Sequence, residues 1–80
     1  MKISVEISMY ALTQAYHAPI DAFVNRLANH PEVTVEYSKM STYLFGEYTV
    51  IMALLNEALE TTLKEIPESV FIIKLSGGCH

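Results

Sequence analysis

Residues 2–10 read Lys2-Ile3-Ser4-Val5-Glu6-Ile7-Ser8-Met9-Tyr10. Apolar and polar residues alternate along the whole stretch. Ile3, Val5, Ile7 and Met9 point to one side of an extended chain, and Ser4, Glu6, Ser8 and Tyr10 to the other. This is a strand with one dry face and one polar face. Residues 11–18 follow as a loop. Pro19 suits the first position of a helix, and Asp21 suits its first turn, where the helix dipole favours a carboxylate. Ile20, Phe23, Val24 and Leu27 recur at helical spacing, which predicts a helix over about 19–29, ended by His30-Pro31.

Val33, Val35 and Tyr37 alternate with Thr34, Glu36 and Ser38 in a second strand. Ser38-Lys39 is the expected hairpin turn, although it lacks an Asn-Gly or Asp-Gly pair. A third strand covers about 40–46. Two facings fit it: Met40, Thr42 and Leu44 share one side, Ser41, Tyr43 and Phe45 the other. Thr49 can cap a helix over about 50–65, with Ile51, Leu54, Leu55, Ala58, Leu59 and Thr62 on the buried stripe. Pro67 follows its end. Val70 to Leu75 is an apolar last strand, and Gly77-Gly78 opens a short tail.

The order strand, helix, strand, strand, helix, strand within 80 residues predicts an α+β, ferredoxin-like sandwich: one domain over 1–80, with two helices on one face of a four-stranded antiparallel sheet. The usual strand order of this fold is 4-1-3-2. Strand one is then central, and Ser8 and Tyr10 at its end approach Ser41 and Thr42 at the start of strand three. The loop carrying Tyr16 and His17 leaves from that end, where strand four begins with Ser69 and Val70.

A domain this small buries only roughly 60–65% of its unfolded surface. Yet 51% of the residues are apolar, with five Tyr and three Phe. Two helices and one sheet face cannot bury all of that, so the surplus predicts a homodimer or homotetramer. The net charge of −4 argues against nucleic acid as a partner, because phosphate neutralisation needs clustered Lys and Arg. Cys79 stands alone and suits a reducing compartment. Residues 1–25 show no signal-peptide pattern and no apolar run approaches ~20 residues, so no membrane is expected and the reading is a soluble cytoplasmic protein.

The polar stripe Ser4-Glu6-Ser8-Tyr10 is the first candidate site. Solvated faces of this kind are common on antiparallel sheets. On a central strand partly enclosed by a partner subunit, however, a carboxylate with hydroxyls can fix a small polar ligand. His17, His30 and His80 lack the helical spacing of a metal pair, and no metal or cofactor is expected. His30 most simply neutralises a helix C-terminus. There is no nucleophile elbow, phosphate loop or dinucleotide fingerprint. Tyr43-Leu44-Phe45-Gly46 faintly resembles the aromatic strand of an RNA-recognition domain but lacks its basic residue and basic surface. Met9, Met40 and Met52 read as core filler.

Several stretches together resemble the thiamine/hydroxymethylpyrimidine-binding proteins of the YkoF-like type. They are Glu6-Ile7-Ser8-Met9-Tyr10-Ala11-Leu12, then Tyr16, Pro19-Ile20 and Phe23, then Met40-Ser41-Thr42 with Gly46-Glu47, and Val70-Phe71 with Lys74-Leu75. The likeness runs over nearly the whole chain, and Met-Ser-Thr-x-x-x-Gly-Glu is its most specific part. Ala11 stands where the family commonly has proline. Lys39 replaces a frequent glycine and puts a cation at the rim of the expected pocket. The resemblance implies a ferredoxin-like fold, homo-oligomers or tandem repeats, and ligand binding without catalysis. Ser8, Tyr10, Ser41 and Thr42 fall on its strand-one and Met-Ser-Thr stretches. An aminopyrimidine offers a donor amine beside ring acceptors, which hydroxyls and the Glu6 carboxylate can match. Tyr10, Tyr16 or Tyr43 can stack on the ring, and aromatic faces also suit a thiazolium cation. Glu47 reads as structural, orienting the entry to the second helix.

The leading expectation is therefore a non-catalytic binder of thiamine or a related pyrimidine, acting in vitamin scavenging, delivery or sensing. Its expected ligand residues are Glu6, Ser8, Tyr10, Tyr16, Ser41, Thr42 and Tyr43. Two other classes use the same fold: a dimeric α+β-barrel isomerase or oxygenase, and an amino-acid-binding regulatory domain.

Overall fold

Strand β1 (Lys2–Tyr10) lies inside a four-stranded antiparallel sheet of order β2-β3-β1-β4, with β2 at Thr34–Tyr37, β3 at Thr42–Glu47 and β4 at Val70–Ser76. Helices α1 (His17–Ala28) and α2 (Tyr48–Glu65) complete the expected ferredoxin-like arrangement. The computed structural model describes residues 1–10, 17–38 and 41–78. Tyr16, Lys39, Met40, Cys79 and His80 lie outside the described residues.

The alternation in β1 does what its period requires. Ile3, Val5 and Ile7 are buried, and across the strands they meet Gly46, Leu44 and Thr42 of β3. Phe23 and Leu27 of α1, with Ile51, Leu55 and Ala58 of α2, close over them as one core cluster. Phe23 also packs on Phe71 of β4, with ring centroids 4.9 Å apart and tilted by 51°. Arg26 joins the helices: Nη1 donates to Thr62 Oγ1 at 2.9 Å and Nη2 to Glu65 Oε1 at 2.8 Å.

The facing of β3 is settled by its pairing. Thr42, Leu44 and Gly46 look toward the helices and are buried, while Tyr43 and Phe45 look outward. Gly46 belongs there because a Cβ would stand 3.1 Å from the Glu32 carbonyl oxygen and 3.6 Å from Ile51 Cδ1.

Several local expectations are corrected. α1 begins at His17, so Pro19 is its third residue and Asp21 lies beyond the first turn. α2 begins at Tyr48, and Thr49 is not its cap. The leading Tyr48 N–H donates to the Met1 carbonyl at 2.8 Å, so the start of β1 satisfies the helix end. Glu47 holds the cap position without a side-chain capping bond; its carboxylate instead takes the N-terminal amine at 3.0 Å. The β2–β3 hairpin is closed by hydrogen bonds between Ser38 and Ser41, and Lys39 of the expected Ser38-Lys39 turn lies outside the described residues. Ser38 N–H and Oγ–H donate to the Ser41 carbonyl at 2.9 and 3.0 Å. His30 does not serve the helix end: its Nδ1 accepts the Glu32 N–H at 3.2 Å, and Arg26 is the basic residue of the last turn of α1. Met9 packs against the core as expected, but Met52 is exposed. Ile73 points to the helix side and is nonetheless 41% exposed, because the helices leave the β4 edge largely uncovered.

Candidate functional site on the open sheet face

Among the described residues no element covers the face of the sheet away from the helices. Along β1 it presents Ser4, Glu6, Ser8 and Tyr10. The strand register sets their neighbours: Phe45 and Ser76 flank Ser4, Tyr43 and Lys74 flank Glu6, Ile72 stands beside Ser8, and Val70 beside Tyr10. The face thus divides along its length. The Ser4–Glu6 end is polar with aromatic walls, whereas the Ser8–Tyr10 end runs beside exposed aliphatic side chains.

Glu6 is the centre of the polar end. Its Oε2 accepts a hydrogen bond from Ser41 Oγ at 3.4 Å, and its Oε1 lies 3.6 Å from Lys74 Nζ. Both contacts are long, and the lysine is mostly solvated, so neither holds the carboxylate tightly. Tyr43 stands directly across β3, where opposed Cβ atoms are about 4.5–5.5 Å apart. Next to Glu6 a cavity of about 270 Å³ is lined by Ser4, Glu6, Tyr43, Lys74 and Ser76. A second depression of about 280 Å³, lined by Thr34, Glu36, Tyr43 and Phe45, lies on the far side of Tyr43. The tyrosine forms the ridge between them.

The expected site residues therefore divide. Glu6, Ser41 and Tyr43 come together. Ser8 and Tyr10 continue the same face but do not line either depression. Thr42 is on the other face, 5% exposed beneath the helices, because neighbouring strand residues point to opposite sides. Tyr16 falls outside the described residues, as does Lys39, the expected cation at the rim. Among the described residues the cation beside Glu6 is Lys74. Its sequence signal is a single charge within the apolar run Val70-Phe71-Ile72-Ile73-Lys74-Leu75. It shares the parity of Val70 and Ile72, which places it on the open face. Ser69 closes the α2–β4 turn, donating Oγ–H to the Ile66 carbonyl at 2.7 Å. Among the described residues no cluster of three or more His, Cys, Asp or Glu has the geometry to hold a metal ion. No described helix is long and apolar enough to cross a membrane.

No family model and no curated protein matches the chain. Among solved structures, protein SP2199 from Streptococcus pneumoniae matches with a TM-score of 0.87 and 31% identity, over 99% of this chain and 89% of that one. This chain belongs to the family of that pneumococcal protein. A Thermotoga maritima structure named a "putative thiamine biosynthesis/salvage protein" matches with a TM-score of 0.84 and 18% identity, over 95% of this chain and 83% of that one. A domain of unknown function, DUF77, from Bacillus cereus matches with a TM-score of 0.76 and 20% identity, over 95% and 75%. These last two likenesses show a shared fold.

Proposed function

We propose that this protein is a non-catalytic binder of thiamine or its pyrimidine alcohol, hydroxymethylpyrimidine, acting in vitamin scavenging, delivery or sensing. The observation that carries the proposal is the Glu6 carboxylate on an open sheet face, loosely held by Ser41 and Lys74 and walled by Tyr43. A carboxylate accepts from the exocyclic amine of an aminopyrimidine, and a tyrosine face packs on the flat ring. Ser8 and Tyr10 continue the same face along β1, toward the end that a second copy covers. A cationic ligand competes with Lys74 for Glu6, and displacing an exposed ion pair costs little. The fold shared with the Thermotoga protein adds support from its name. The acting species is a homodimer or homotetramer in which a second copy covers the apolar end of the same face.

A thermal-shift screen tests the reading. Thiamine and hydroxymethylpyrimidine raise the melting temperature because a ligand bound only by the native state stabilises it by mass action. Amino acids and unrelated small aromatics leave it unchanged. A shift with amino acids alone moves the protein to the regulatory class.

A further inference from the structure

Ser4 breaks the rule that buried polar groups find partners. It lies on the open side of β1 between Phe45 and Ser76. It is only 4% exposed, and its Oγ has no hydrogen-bond partner among the described residues. An unpaired buried hydroxyl is destabilising, and alanine would fill the same place in the sheet without that cost. The same residue lines the 270 Å³ cavity together with Glu6, Tyr43 and Lys74. The Oγ is closed to solvent as it stands, so a ligand satisfies it once the Ser4 side chain turns about its Cα–Cβ bond into the cavity that the residue lines.

We infer that Ser4 is a ligand-binding residue whose hydroxyl donates to a ring nitrogen of a planar aminoheterocycle, while Glu6 takes the exocyclic amine and Tyr43 lies against the ring. The inference rests on the proposed function and deepens it, because it assigns the cavity to the pyrimidine half of the ligand. Three arguments support that choice. Ser4 and Glu6 are two residues apart on one strand, about 6.6 Å along it, so a six-membered ring bearing an amine reaches both. A cavity of about 270 Å³ lies near the lower end of ligand sites and suits one ring rather than a large cofactor. The chemistry discriminates as well. An aminopyrimidine has both the acceptor that Ser4 needs and the donor that Glu6 needs. The thiazole half has no amine for Glu6: its ring nitrogen is alkylated in thiamine, and free hydroxyethylthiazole offers a lone acceptor without a donor.

Calorimetric titration of the wild type and Ser4→Ala with hydroxymethylpyrimidine and with hydroxyethylthiazole tests this, with melting curves of the free proteins. The pyrimidine binds the wild type and the thiazole does not. Ser4→Ala binds the pyrimidine about tenfold more weakly, the loss of one hydrogen bond, while its free melting temperature stays the same or rises. A residue that only supported the fold would lower the melting temperature instead. Equal pyrimidine affinity in the two proteins overturns the inference and leaves the proposed function standing. Tighter binding of the thiazole overturns it too. So does a Ser4→Ala change in self-association with unaltered ligand affinity, which would assign the hydroxyl to a second copy of the chain. No heat with either the pyrimidine or thiamine removes both the inference and the function it rests on.

Discussion

Glu6 and Glu47 are both carboxylates beside a cation, and they do different work. Glu6 stands on the open face with a solvated lysine 3.6 Å away, free to exchange that partner for a ligand. Glu47 stands at the sheet end, where the N-terminal amine at 3.0 Å and Lys2 at 3.8 Å surround it. The amine's hydrogen bond and charge, with a smaller contribution from Lys2, hold the Glu47 carboxyl below its ordinary value of 4.5. A carboxylate depressed in the folded state stabilises above its unfolded value and loses that contribution as pH falls through the folded one. The wild type is therefore expected to melt slightly above Glu47→Gln at neutral pH, and the gap should close as the pH drops below 4.5. Melting curves across an acid series check this; a gap that persists at the lowest pH would show that the ion pair is not its source.

The elements were largely legible in the residue pattern, and the exceptions share one physical cause. The faces of β1 follow from strict alternation, and the buried stripe of α2 from its helical period. The start of α2 was not legible, because its first N–H is satisfied by Met1 from another part of the chain. Nor was the pairing of Lys74 with Glu6, which exists only through the β1–β4 register. The facing of β3 was ambiguous because Thr42 and Tyr43 suit either side, and its register with β1 decides it, which buries Gly46 beside the Glu32 carbonyl. Long-range contacts, rather than local propensity, set each of these. Truncation of Ile7 or Leu55 to alanine leaves a cavity under the helices and should cost about 2–5 kcal/mol. Gly46→Ala is expected to cost roughly 1–3 kcal/mol by overpacking. Urea melts measure all three, and midpoints equal to wild type would mean that the helix-side core is misassigned.

At the scale of the whole molecule, two helices cover one face of four strands and leave most of β4 bare, touching it through Phe23 on Phe71. Val70 and Ile72 on the open side, and Ile73 and Leu75 on the helix side, are all between 41% and 52% exposed. An apolar edge strand exposed along most of both sides favours pairing with another chain, and a small domain gains much from it. Sedimentation at micromolar concentration should show a dimer or tetramer, and Ile72→Lys should shift it toward monomer; a wild type that sediments as a monomer would contradict this. Self-association of that kind leaves the polar Ser4–Glu6 end as the part of the face that a ligand can reach. The central claim is that Glu6 makes that end a site for thiamine or its pyrimidine. Calorimetric titration of the wild type and Glu6→Gln with both compounds tests it most directly. The account predicts measurable binding by the wild type and a loss of about ten- to a hundredfold in Glu6→Gln, the worth of one charge-assisted hydrogen bond, with an unchanged melting temperature for the free variant. Equal affinity in the two proteins, or no heat from the wild type with either compound, would contradict it.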